Sequence, residues 1–210
     1  MLQAMSIAAT GMEAQETQIQ VISNNLANAS TPGFKVSRAR FQDLLYVNER
    51  QAGTQSSQVS QVPTGESIGL GTHTAAVDKL FTEGELDQTG NPLDMAIQGD
   101  GFFQVTMPDG SIAYTRDGSF RLDQNGRLVT LDGYTLMPGI TIPQGSNNLT
   151  VGPDGTVSVM VGNQTTPTQV GQLQVVRFLN PAGLDPIGQN LYKQSQAAGS
   201  PQVGIAGQNG

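Results

Sequence analysis

Apolar side chains recur with a helical period through residues 2–28, a stretch without proline and with one glycine, Gly11. At 100° per residue, Leu2, Met5, Ala8, Ala9, Met12, Ile19, Ile22 and Leu26 fall on one stripe. A thinner row, Ile7, Ala14 and Val21, lies roughly 150° away by the same arithmetic. Ser6, Thr10, Glu13, Thr17, Gln20 and Asn24 separate the rows on one side, and Glu13 and Glu16 are the only charged side chains before Lys35. A helix on the outside of a globule needs a charged face opposite its apolar one. This helix has two apolar faces and almost no charge, so it is built to sit between neighbours. The pattern assigns self-assembly contacts to Leu2, Met5, Ile7, Ala9, Met12, Ala14, Ile19, Val21, Ile22 and Leu26. The helix should stop near Asn28. There Asn24, Asn25 and Asn28 compete for backbone hydrogen bonds, Pro32 forbids further helix and Gly33 allows positive φ.

Beyond Lys35 the period changes. Phe41, Leu44, Leu45 and Val47 fit a short strand or a turn of helix, and residues 48–67 are polar, with Gln51, Gln55, Ser56, Ser57, Gln58, Ser60 and Gln61. That segment reads as a flexible loop or, from the alternation Gln58-Val59-Ser60-Gln61-Val62, as an extended hairpin that orders when other subunits clamp it. Residues 69–77 read as the start of a strand. From 93 to 161, short apolar runs are parted by Asp109-Gly110, Asp117-Gly118, Asn125-Gly126, Asp132-Gly133 and Asp154-Gly155, which supply the positive φ of tight hairpins. A further strand is expected over 172–179. The fold class is therefore mainly β: an antiparallel β domain, sandwich or partly closed barrel, with an N-terminal α-helix and an extended connecting segment. The expected divisions are 1–30 for the helix, 31–70 for the connection, 71–195 for the β domain, and a Gly-, Gln- and Ala-rich mobile tail over 196–210.

Composition narrows the partners. The chain has 210 residues, 13% charged and 5% aromatic, with 26 glycines and a net charge of −7. Ten Lys and Arg without a basic cluster argue against nucleic acid and anionic lipid as natural partners. No cysteine is present, so neither disulfides nor thiol chemistry enter. The N-terminus lacks the basic start and apolar core of a secretory signal, and no run approaches the roughly 18 apolar residues of a membrane span. A working place outside the cytoplasm would require an export route that reads something other than a cleaved signal.

The run Ile22-Ser23-Asn24-Asn25-Leu26-Ala27-Asn28, followed by Thr31-Pro32-Gly33-Phe34-Lys35, closely resembles the N-terminal signature of bacterial flagellar axial proteins, the rod, hook and hook-associated subunits. A second block resembles the same family, through Gly99, Gly101, Phe102 and Phe103, then Tyr114, Arg116, Gly118 and Phe120, with Asp123-Gln124-Asn125-Gly126 after them. The polar insert at 48–67 is similar to one marking distal rod members and absent from hook members. The resemblance implies a structural subunit of a hollow helical drive shaft carrying torque from motor to hook. It implies as partners further copies of the chain, proximal rod and hook subunits, and the basal-body ring proteins. It also implies unfolded export through the flagellar type III apparatus to a basal body that spans the periplasm. Family members finish with a second long helix packed on the first, and none is seen before Gly210. The expectation is a truncated C-terminus, an N-terminal stripe without an intramolecular partner, and fraying of residues 2–28 in an isolated monomer.

No catalytic or cofactor constellation emerges. Gly65-Glu66-Ser67-Ile68-Gly69 fits a nucleophile elbow in letters, but Gln-, Ser- and Pro-rich sequence precedes it and the only histidine is His73. One histidine without cysteines builds no zinc site. Asp123-Gln124-Asn125-Gly126 opens like a calcium loop, yet position twelve is Tyr134, so a hairpin turn explains it. Gly99-Asp100-Gly101 lacks the third glycine of a dinucleotide loop. Asp94, Asp100, Asp109 and Asp117 include no evident glycosidase pair, since most of them sit in glycine turns. A cell-wall hydrolase therefore lacks its carboxylates. A carbohydrate-binding or adhesin-like module lacks clustered aromatics, with no Trp and four scattered Tyr. Within the family, a proximal rod or hook subunit is the alternative.

Overall fold

The computed structural model describes residues 1–53, 63–162 and 166–207, and divides the chain into two units. One comprises Met1–Ala29 and Val36–Leu80, the other Ser30–Lys35 and Phe81–Gly210.

In the first unit, α1 (Leu2–Ala27) is a single unbroken helix. It ends where asparagines replace helix formers: the Asn28 N–H and its side-chain amide both donate to the Asn24 carbonyl, at 3.2 and 2.9 Å. Four strands follow: β1 (Ser37–Asp43), β2 (Tyr46–Arg50), β3 (Glu66–Gly69) and β4 (Thr72–Lys79). β1 pairs antiparallel with β4 from Ser37↔Lys79 to Asp43↔Thr72, and β2 with β3 from Tyr46↔Gly69 to Arg50↔Glu66. Two bonds join the ladders, Leu44 N–H to the Gly71 carbonyl (2.9 Å) and Leu70 N–H to the Leu45 carbonyl (3.0 Å). The result is one long two-stranded ribbon. The alternatives at 36–47 thus resolve as strand. The strand read as opening the β domain pairs instead with β1, so the division expected at 70/71 falls inside the ribbon. Periodicity reports that a segment is extended but not which segment it pairs with. Residues 54–62, with the 58–62 alternation, lie outside the described residues.

Among the described residues, the thin row is the apolar row of α1 that is covered. Ala14 and Val21 are buried and Ile7 is half-buried where the helix lies along β1 and β4. Burying these side chains is worth about 2–4 kcal/mol, little for 26 helical residues. Polar groups fix the register: Asn25 takes both backbone groups of Ser37, its amide donating at 2.8 Å and its carbonyl accepting at 2.9 Å. The Thr72 N–H donates to Thr10 Oγ1 at 3.4 Å. Gly71, at φ +116°, is required here because a Cβ would collide with the Thr10 hydroxyl.

The second unit is a curled antiparallel half-barrel with smaller sheets beside it. Its strands are β5 (Phe103–Thr106), β6 (Ile112–Thr115), β7 (Arg121–Leu122), β8 (Leu128–Val129), β9 (Thr135–Met137), β10 (Ser146–Val151), β11 (Thr156–Val161), β12 (Thr168–Gln172), β13 (Gln174–Arg177), β14 (Asp185–Gly188), β15 (Leu191–Lys193) and β16 (Gln202–Ile205). Seven form a sheet in the order β14-β15-β6-β5-β9-β8-β7, with β10-β11-β12 and β13-β16 as separate sheets. Successive side chains of a strand point to opposite faces, and here both faces are buried. Phe103, Ala113 and Leu191 enter one core with Phe120, Leu128, Leu136, Val157 and Val159. Their neighbours Phe102, Tyr114 and Tyr192 enter another with Val176, Phe178 and Leu184.

Four Asx-Gly pairs turn as expected, with Gly110, Gly126, Gly133 and Gly155 at φ +74° to +86°. Asp117-Gly118 does not. Gly118 lacks positive φ, and its glycine is demanded by close approach, since a Cβ would strike the Met95 carbonyl. The tail is also corrected. Gln202–Ile205 is a strand paired with β13, and Ala198 is fully buried. Its Gly/Gln/Ala composition resembles a linker, but the open edge of β13 gives its backbone a partner.

Candidate functional site

The signature residues separate into two groups. Asn24, Asn25, Leu26 and Asn28 end α1 in the first unit, where Asn25 holds Ser37 and Asn28 closes the helix. Ser30–Lys35 belongs to the second unit as a short strap on the β body. Asn190 donates its amide to the Pro32 carbonyl at 2.8 Å. Gly33, at φ +71°, lies so close to the backbone of Asp117 that a Cβ would stand 2.7 Å from its nitrogen. Lys35 is buried and donates to the Thr82 carbonyl at 2.7 Å. Burial, then the neighbouring Arg116 cation, lowers the Lys35 pKa, and Glu83 opposes both.

Under the strap the second signature block converges. The Arg116 guanidinium carbon stands 5.3 Å from the centre of the Phe102 ring, a cation–π distance. Phe102 in turn packs edge-on against Phe81 (5.3 Å), Phe178 (5.8 Å) and Tyr192 (6.1 Å). Phe103 meets Phe120 at 5.1 Å, and Tyr114 meets Phe178 at 4.8 Å. Gly101 fits against the Val175 side chain, and Gly99, at φ +88°, donates its N–H to Glu83 at 3.3 Å. Burial lowers the Arg116 pKa, with Asp100, Glu83 and Tyr192 acting in the opposite direction, and its Nε is buried without a hydrogen-bond partner. Tyr192 is pushed up to about 12 by burial, against the pull of Arg116. Sequence reasoning misses Thr82 and Glu83 in this cluster: Thr82 lies 47 residues from its strap partner Lys35, beyond any local pattern.

The other predicted set lies along α1. Its broad stripe faces solvent: Leu2 is 86% exposed, Met12 68% and Ile19 62%, and Met5, Ala8, Ala9, Ile22 and Leu26 are exposed with them. Monomeric proteins seldom leave so long an apolar row uncovered. Ile7, Ala14 and Val21, predicted to meet other subunits, turn inward on the chain's own ribbon.

The acidic turns hold themselves. Asp94 accepts from Thr89 and Asn91 at 2.7 Å each and from Arg121 at 3.3 Å, and these bonds, Thr89 foremost, lower its pKa. Asp123 is likewise occupied by Asn125 and Arg127. His73 is an exposed residue of β4, opposite Gln42. Among the described residues there is no cluster that would hold a metal ion, and no helix is long and apolar enough to cross a membrane.

Two family descriptions match the chain: "Flagella basal body rod protein" over residues 5–35, and "Flagellar hook protein FlgE/F/G D1 domain" over residues 96–159. The flagellar basal-body rod protein FlgG of Buchnera aphidicola subsp. Schizaphis graminum is 50% identical over 210 residues, covering 100% of this chain and 81% of that protein. That of Bacillus subtilis is 40% identical over 205 residues, or 95% of this chain and 76% of the relative. The flagellar hook protein FlgE of Escherichia coli is 34% identical over 173 residues, but these are only 39% of its length.

Proposed function

The chain belongs to the flagellar basal-body rod protein family, and from that premise we propose that it is a structural subunit of the distal rod. Copies of it assemble into a hollow helical shaft that carries torque from motor to hook. The observation that carries this reading is the uncovered stripe of α1 on a helix already packed, by its other row, on the ribbon. The described residues leave that surface uncovered, and neighbouring copies in a polymer would cover it. When unlike surfaces meet and the rotation does not close, the product is a helical filament. Leu2, Met5, Ala9, Met12, Ile19, Ile22 and Leu26 make the inter-subunit contacts, while Ile7, Ala14 and Val21 keep the helix on its own subunit.

The polar composition of residues 48–67 favours a distal over a proximal rod or hook subunit. Proximal rod and hook subunits flank the shaft, and basal-body ring proteins surround it. The chain leaves through the flagellar type III apparatus to a rod spanning the periplasm. Its work is mechanical and passes through packing contacts, without turnover.

Electron microscopy of the full-length protein tests the reading. Tubes are expected from the parental protein and none from Met12→Asp combined with Ile19→Asp, with the second unit still folded. Tubes that form equally well with both aspartates would overturn it.

A further inference from the structure

Arg116 is a cation held at a cost. Its Nε is buried without a hydrogen-bond partner, its neighbour is the Lys35 ammonium, and no carboxylate among the described residues comes within ion-pair distance of it. A buried donor left unsatisfied costs stability, and a group kept on such terms is a site candidate. The carboxylates nearest to it are engaged elsewhere: Asp100 with Arg177 at 3.5 Å and Glu83 with the Gly99 N–H. The other arginines of this unit already have partners, Arg121 in Asp94 and Arg127 in Asp123. Among its acids, Asp109 and Asp154 close their own turns on Ser111 and Thr156, and Asp132 accepts from Gln189. The side chains of Glu85, Asp87 and Asp185 remain exposed and make neither a hydrogen bond nor an ion pair among the described residues. Two of the three sit together on the irregular stretch 81–92. The unit therefore carries a cation without a directly bonded carboxylate in one place, with Asp100 and Glu83 acting on it only at longer range, and a pair of unbonded carboxylates in another.

Resting on the polymer reading above, we propose that the Arg116 guanidinium, seated on Phe102, receives the carboxylate of Glu85 or Asp87 from a second copy of the chain. The ring holds the guanidinium at a cation–π distance of 5.3 Å, and the outer nitrogens of a guanidinium form a fork that a carboxylate matches. Each copy both gives and receives one such contact, so the charge pattern repeats along a filament without closing.

A charge-swap experiment on the full-length protein separates this from a role inside one subunit. Arg116→Glu and the double variant Glu85→Lys/Asp87→Lys are each expected to raise the critical concentration for polymer about tenfold at low salt. An equimolar mixture of the two restores it towards the parental value, because each variant then finds its complement on the other copy. Asp185→Lys leaves it unchanged. Folding of every variant is checked by far-ultraviolet circular dichroism and thermal midpoint. Should Arg116→Glu not fold, Arg116→Gln takes its place, with a raised critical concentration and a weaker dependence on salt expected. A folded Arg116→Gln protein that polymerises like the parent overturns the proposal, as does a mixture no better than its components. Absence of polymer from the parental protein overturns the rod reading itself, a distinct result.

Discussion

The two units of this chain solve the burial problem in opposite ways. The second, Ser30–Lys35 with Phe81–Gly210, buries both faces of its sheet and closes two cores. Among the described residues, the first, Met1–Ala29 with Val36–Leu80, contributes only Ala14 and Val21 to the buried apolar side chains, and exposes Leu2, Met5, Met12, Ile19, Ile22, Leu26, Leu45, Tyr46, Val47, Ile68 and Val77. A two-stranded ribbon is marginal in water by itself, and a helix with one thin buried row adds little to it. The second unit closes two apolar cores within one molecule. The first leaves much of its apolar surface exposed among the described residues, as a part made for an assembly would.

Hydrogen exchange on the monomer breaks or sharpens that contrast most strongly. Amides of α1 and β1–β4 are expected to open with a free energy about 5 kcal/mol below those of β5, β6 and β9. Equal protection of the two units would end the comparison. Next in size, Phe120→Ala empties the fully buried position against Phe103, and is expected to cost the second unit about 3–5 kcal/mol in denaturant unfolding.

The two faces of α1 then divide by assay. Val21→Ala is expected to loosen the helix from the ribbon by about 1.5 kcal/mol, read by helical circular dichroism on urea titration. Ile19→Asp is expected to change monomer stability by less than about 0.5 kcal/mol while stopping tube formation. The smallest effect is acid sensitivity. Hydrogen bonds from Thr89 to Asp94, from Ser111 to Asp109, from the Arg127 backbone to Asp123 and from Thr156 to Asp154 hold these carboxyls below their ordinary 3.8. A depressed folded pKa contributes stability above the unfolded value and loses it as pH falls through the folded one. The thermal midpoint of the second unit is therefore expected to fall slightly below about pH 4, and a midpoint flat from pH 6 to pH 3 would refute this.

Local pattern was enough to read α1 and its end at the asparagines, the two apolar rows, the strand-rich body, and hairpins at Asp109-Gly110, Asn125-Gly126, Asp132-Gly133 and Asp154-Gly155. Each depends on forces that act within a few residues: side-chain period, capping and the positive φ of glycine. Tertiary structure alone decided which row of α1 turns inward, that 72–79 pairs with 37–43, that the linker-like tail becomes the edge strand β16, and that Gly118 serves close approach rather than a turn. It alone brought Lys35, Thr82, Arg116 and Asn190 to one place. Those outcomes depend on partners distant in sequence, and the period of one segment carries no record of which surface it will meet.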